Sequence, residues 1–387
     1  MKKISRFKKI LISFAALLIL FVASVWVFYN YFFQDYVNDF LKPKLAAAIS
    51  AATEGHYRLD IERIVYKEGL LYCKGFTLHR VRYDADETGI TLESLTQDTV
   101  FFKGWHLFDL IWGNGSYMKR MEMHAPKIVV INISDGREKL KNEKPDTLPI
   151  PTKLPVRLPV IAFDSIIMTD MRIEVPEKFK PQGPLPYYEG ISARLAGFRL
   201  DSITMVTEPL LYSKYINFEM PHLSFYTDDS VYTIEAGPIH ANLSDSLIRI
   251  DSFSFKPDYT DDEFSSLQPY LRGKLDFRCT DISIHGFSLE ELMEGKSVML
   301  HSCNIASWNF DYYSDKRKPR ELHPEPAVLP NEFIQEFPMP VKIDSLVLAD
   351  GKIKIRERAE GSKKIRRLAF RPRQDSSLAV LHRYSMG

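Results

Sequence analysis

The chain changes its hydrophobic period twice. From Ile10 to Val27 it is apolar except for Ser13 and Ser24, and about 20 apolar residues carry a helix across the hydrocarbon of a bilayer. Lys2, Lys3, Arg6, Lys8 and Lys9 precede this run without an acid, and Phe28, Tyr29, Tyr31, Phe32, Phe33 and Tyr36 follow it. Cations stay on the cytoplasmic side and aromatic rings gather at the interface. The pattern predicts a cytoplasmic segment over residues 1–9, a transmembrane helix over 10–33 and the rest of the chain outside the cytoplasm. A cleaved leader is the alternative, but it needs an apolar core of about 7–15 residues and a small-residue cleavage site. This run is longer, and bulky aromatics stand where that site would be. With no second apolar run of comparable length, the chain is expected to cross once.

Helical spacing continues beyond the span, with Leu41, Leu45, Ala48 and Ile49 in step over Asp35–Thr53. Pro43 is expected to kink this helix or mark a break, and Gly55 to end it, giving a membrane-proximal helix over residues 34–55. From His56 the period becomes two. Tyr57, Leu59 and Ile61 alternate with Arg58, Asp60 and Glu62, the pattern of a half-buried strand. Lys67-Glu68-Gly69 then lies between two apolar runs as a hairpin signal.

An eight-residue pattern recurs through the strand region. Ile161–Met168, Phe198–Met205, Ile248–Phe255 and Val341–Leu348 each carry apolar residues at positions 1, 3, 6 and 8 around a central Asp-Ser. Leu59–Tyr66, Phe277–Ile284 and Val298–Ile305 keep the spacing and lose the dipeptide. Two copies also continue alike, as Thr169-Asp-Met-Arg-Ile-Glu-Val175 and Ala349-Asp-Gly-Lys-Ile-Lys-Ile355. Alternation puts positions 1 and 3 on one face of a strand and 6 and 8 on the other. A β-bulge at Asp-Ser absorbs one residue and restores a common face while bending the strand. Short polar side chains there can bond backbone groups the ladder leaves free. A tight hairpin turn at Asp-Ser is the alternative. Both readings predict a repetitive β architecture.

Five prolines in Pro145–Pro159 and six in Lys318–Pro340 mark loops or edge crossings, because proline cannot donate to a central ladder. The strand pattern resumes after each, so neither is expected to separate domains. Short helices are expected at His106–Trp112, Ser288–Glu294 and Asn331–Phe337.

Composition excludes more than it assigns. The 51 Lys and Arg nearly cancel 50 Asp and Glu, leaving +1 and no electrostatic case for nucleic acid. The aromatic content of 12%, with 25 Phe and 19 Tyr, suits strands. Cys73, Cys279 and Cys303 form no metal or redox motif, and Cys279 and Cys303, at apolar positions of expected strands, read as small core residues. No phosphate-binding glycine loop, nucleophile elbow or zinc helix is present. Gly113-Asn-Gly-Ser116 reads as a turn, and Asp258, Asp261, Asp262 and Glu263 as a solvated loop lacking the spacing of a calcium loop. His301 and Cys303 share a metal-like spacing without a second pair. Trp105 and Trp112 flank a Phe/Leu-rich stretch that could touch lipid or belong to the core. No catalytic, cofactor-binding or metal-binding residue is expected.

Three segments carry a family likeness: the N-terminal run followed by Tyr57–Tyr66 and Gly69–Leu78; Pro126–Ile131 after Leu107–Met123; and Phe337–Arg356 with its Asp-Ser and Asp-Gly. Together they resemble the AsmA-like superfamily of Gram-negative envelope proteins, relatives of bridge-like lipid transfer proteins. The resemblance implies a mainly β, non-enzymatic protein fixed in the bacterial inner membrane. It implies a long, curved, repetitive antiparallel sheet over residues 56–357 in the periplasm, whose apolar groove binds or conducts phospholipid without a cofactor. A structural or interaction scaffold with a closed β core is the alternative. The strand pattern stops after Glu360, so residues 358–387 are expected to be a basic tail, disordered or truncated.

Overall fold

The computed structural model describes residues 19–24, 33–67, 70–83, 90–104, 115–132, 160–176, 180–181, 187–201, 204, 212–227, 230–288, 291, 297–320, 340–360 and 365–370. Within the expected span only Ile19–Ser24 and Phe33 are described, and they are helical. No described helix is long and apolar enough to cross a membrane; the rest of that span lies outside the described residues.

A helix over Phe33–Ala52 runs through Pro43 without the expected break. Strand β1 (Tyr57–Lys67) pairs antiparallel with β2 (Leu70–Arg80), Lys67 facing Leu70 across the expected hairpin. β3 (Ile90–Lys103) follows, and β4 (Gly115–His124) and β5 (Lys127–Asn132) lie end to end beside it. β6 (Val160–Glu174) runs parallel to both. β7 (Tyr187–Leu200), β8 (Tyr215–Met220), β9 (Leu223–Tyr226), β10 (Tyr232–Ala236), β11 (Ile239–Asn242) and β12 (Leu247–Pro257) continue antiparallel, with β8 and β9, and β10 and β11, end to end. β13 (Gly273–His285) and β14 (Val298–Asp315) come next. β15 (Val341–Leu348) and β16 (Gly351–Arg358) lie parallel to β14, and β17 (Ile365–Phe370) pairs antiparallel with β16. All seventeen strands belong to one sheet.

Three expectations change. The sheet is not wholly antiparallel: the steps from β4 and β5 to β6, and from β14 to β15 and β16, are parallel. Parallel neighbours need a long return connection, and each return contains one of the proline-rich stretches. Residues 365–370 form a strand where a structureless tail was expected, its alternation hidden by Arg366 and Arg367. Asp261–Leu267 is a helix, not a solvated loop. Thr260 and Glu263 form its reciprocal capping box, a signal written in the sequence as Thr-x-x-Glu. The helices expected at 106–112 and 331–337 lie outside the described residues, as does most of 288–294.

The octapeptide does restore a common face, by a different route. Asp164 and Gly197 drop out of the β6–β7 ladder together, with Phe163 facing Phe198 and Ser165 facing Ala196. Both strands absorb one residue, so the register does not slip. The same paired omission occurs at Glu62 with Gly75, Asp251 with Asp281, and His301 with Asp344. Neighbouring omissions join into two lines across the sheet. One line passes Glu62, Gly75, Ala125, Asp170, Gly190 and Gly237 to Asp281; the other passes Gly104, Lys119, Asp164, Gly197 and Gly286 to Asp344. Gly75 shows why glycine recurs there. Its φ is 61°, and an added Cβ would lie 2.6 Å from Glu62 Cβ. At Asp251-Ser252 the Ser252 hydroxyl donates to Gly237 O at 2.7 Å, as a residue beside a ladder gap is expected to. Asp201-Ser202 differs: β7 has ended, and the Thr204 amide donates to the Asp201 carboxylate at 2.9 Å.

The two parallel steps are structural copies of each other. After each, the chain enters a strand that meets one line at Asp-Ser, Asp164 or Asp344, and the other near Asp170 or Asp350. These are the two segments whose sequences continue alike.

Candidate functional site: an apolar row across the sheet

Between the two lines, register strings the inward positions into a row. It begins Ile64, Cys73, Val100, Met123, Met168 and Ala193, each directly opposite the next. It continues Phe218, Ala241, Ile248, Ile284, Cys303 and Leu346. One residue comes from each of twelve strands, and none is polar. A second row, Phe225, Ile234, Phe255, Phe277, Phe310 and Ile353, flanks its later part on the same face.

Burial along the first row is deepest at the β1 end. Ile64, Cys73 and Val100 are wholly buried and Met123 is 6% exposed. They belong to a core in which the Phe102 and Phe163 rings, on β3 and β6, lie 5.9 Å apart although β4 runs between those strands. Strands two places apart stand about 10 Å apart, so the two rings lean together over β4 and pack the apolar face here. Leu45 and Ile49 of the Phe33–Ala52 helix close this end. The Asn38 side chain seals the β1 edge, donating to Ile64 O at 2.8 Å and accepting from Ile64 N at 2.7 Å. From Ile248 to Leu346 the row is half-buried, as is the second row. The buried members of both packed apolar clusters all come from β1 to β8.

The later strands are held on their other face. Lys274, Asp311, Tyr313, Asp315, Arg356 and Arg358 alternate with Leu275, Phe310, Tyr312 and Ile355, so they stand opposite the apolar rows. Tyr313, Asp315 and Lys274 are 1%, 3% and 8% exposed. Asp261 of the short helix accepts from Lys274 at 2.9 Å and pairs with Arg356, which also reaches Asp311 at 2.8 Å. Asp262 pairs with Arg358, and Arg317 grips Asp315 with two bonds of 2.8 and 2.6 Å. Burial opposes ionisation of Asp261, but bonds from Lys274 and Arg356 hold its carboxyl below the ordinary value. Bonds from Arg317 bring Asp315 down to about 2. The sequence reading missed this network because Asp261 and Arg356 are 95 residues apart.

The remaining candidates resolve individually. Burial pushes the Cys73 thiol up to about 12 and Cys279 up to about 11, so neither is poised as a nucleophile. His301 lies on a kink line 3.5 Å from Asp344, while Cys303 points into the apolar row. Among the described residues no three His, Cys, Asp or Glu side chains gather as a metal site. Trp105 and Trp112 lie outside the described residues. A depression of about 420 Å³ carries Arg194, Glu219, His240 and Arg249 beside Met168 and Phe218. No family model matches the chain, and no curated protein matches it in sequence.

Proposed function

We propose that the chain handles phospholipid, sheltering acyl chains along the apolar rows while its N-terminal segment fixes it in the inner membrane with the sheet in the periplasm. The observation that carries this reading is the first row: twelve apolar residues in register, sealed at β1 and only half-buried from Ile248 onward. Each acyl CH₂ withdrawn from water there contributes about 0.8 kcal/mol. The ion network supports it too, since it braces the later strands from the opposite face. The exposed Ile19, Leu20, Phe21 and Val22 fit a helix in lipid. The chemistry asked of the rows is burial, which needs no catalytic group, cofactor or metal. The direct test is lipid extraction from the purified full chain followed by mass spectrometry. Phospholipid in excess of what the N-terminal helix retains, lost when Ile284→Asp places a charge in the open row, is expected; equal lipid in the wild-type and variant chains would exclude the carrier reading.

The closed core of β1 to β8 favours a second reading, an envelope scaffold without cargo. That reading expects Ile284→Asp to leave lipid content unchanged and to disturb a protein contact instead.

A further inference from the structure

We infer that the β17 end of the sheet docks onto an anionic lipid surface. The two ends of the sheet differ. At β1 the edge is occupied by Asn38 and the Phe33–Ala52 helix. At the other end the apolar face continues through Tyr312, Ile355 and Leu368, opposite one another on β14, β16 and β17, and it becomes more exposed as it goes: 36%, 36% and 60%. Arg366 stands two residues from Leu368 on that same face, and Arg367 on the other; both are exposed.

Charge decides the partner. Glu357 faces Arg366 but pairs with Lys316 at 2.6 Å, and Arg367 faces another cation, Arg356. Among the described residues neither arginine has an acidic partner. In sequence, residues 351–373 hold ten Lys and Arg against two acids, in a chain whose net charge is only +1. An apolar side chain flanked by unneutralised arginines matches a bilayer interface, where Leu enters the acyl boundary and Arg reaches the headgroups. A zwitterionic surface offers the arginines little; an anionic one contributes about 1 kcal/mol for each basic residue. The inference rests on the lipid-handling reading only for why the apolar rows should end at a membrane.

The full chain, carried in phosphatidylcholine nanodiscs and held on a sensor by an N-terminal tag, is offered dye-filled vesicles. Vesicles of phosphatidylcholine mixed with phosphatidylglycerol are expected to be captured, those of phosphatidylcholine alone not, and capture should fall as salt rises. Arg366→Gln with Arg367→Gln should weaken capture about thirtyfold, two basic contacts of about 1 kcal/mol each. Arg194→Gln with Arg249→Gln, an equal charge change in mid-sheet, should not. Equal loss from both pairs, or capture indifferent to phosphatidylglycerol, overturns the assignment; so does capture abolished by Leu368→Ser but untouched by the arginine changes, which would be apolar adhesion. Copurifying phospholipid measured on the arginine variant keeps the two ideas apart. Lost capture with the wild-type lipid load is the docking result, whereas a wild-type chain that captures anionic vesicles but carries no more lipid than its Ile284→Asp variant removes the carrier reading alone.

Discussion

The first and second halves of the sheet present the same row of apolar residues and bury it differently. Ile64 and Ile284 occupy equivalent places in it, each just past a kink line, yet Ile64 is wholly buried and Ile284 only half. In the first half Phe102 meets Phe163 over β4, and the apolar face is the core. In the second half the largest buried side chain is Tyr313, on the opposite face among Asp261, Arg356 and Asp315. A strand needs one face packed to be stable. If ion pairs and a short helix supply that packing from behind, the front is released from the need to collapse.

The sharpest test of the contrast is a charge placed in each half of the row. Ile64→Asp puts an unpaired carboxylate in a dry core and should cost on the order of 4 kcal/mol or more, read as a collapse of the thermal transition. Ile284→Asp, able to reach water, should cost about 1 kcal/mol. Equal losses would mean that the second half is as closed as the first.

The reciprocal test removes the bracing. Arg356→Ala removes the partner that Asp261 and Asp311 share and leaves them to Lys274 and Lys354, and losing its charged hydrogen bonds should cost on the order of 2 kcal/mol. Hydrogen exchange should quicken in β13, β14 and β16 while β1 to β3 keep their protection. Uniform quickening would make the two halves one cooperative unit and weaken the contrast.

How far the sequence could foresee this division follows from distance along the chain. The octapeptide's spacing is local, so a kink at Asp164 and another at Asp344 were legible, as were the β1–β2 hairpin and the strands themselves. What the spacing could not say is that each kink is shared with a neighbour. Gly197 lies on the next strand, and a one-sided bulge and a paired omission give the same pattern on β6 alone. Register was equally hidden, and with it the row, since Ile64 and Leu346 share a face only through every strand between them. The network was hidden twice over, by its long separations and because Asp258, Asp261, Asp262 and Glu263 look like solvent-facing charge. The Thr260–Glu263 capping box was the one local clue.

A smaller effect probes the lines that make both halves possible. Gly75→Ala forces a left-handed conformation on a residue with a Cβ and drives that carbon into Glu62. It should cost about 2 kcal/mol by lowered thermal midpoint. Gly286, on the other line and in the second half, has φ 67° with His301 Cβ 2.5 Å from an added Cβ. The same substitution there should cost less, because the open face lets His301 and its neighbours move aside. A larger loss at Gly286 would show that the kinks, not the packing, limit the second half.

The mildest probe is acid, and its sign follows from Asp315. Folding lowers this carboxyl from an ordinary 3.8 to about 2. The stabilisation is therefore fully present above about pH 4 and is lost as pH falls through 2, because the unfolded chain binds the proton first. Asp261, held low by Lys274 and Arg356, acts in the same direction. In the first half Glu122 of β4 is held low as well, by bonds from Lys103 and Arg120, so acid reaches that strand too, but it lies outside β1 to β3. Lowering the pH from about 4 toward 2 should therefore loosen β14 and β16 in hydrogen exchange before β1 to β3, and Asp315→Asn should flatten that dependence while lowering stability at neutral pH. Acid loosening that begins at the Ile64 end would reverse the assignment of which half depends on charge.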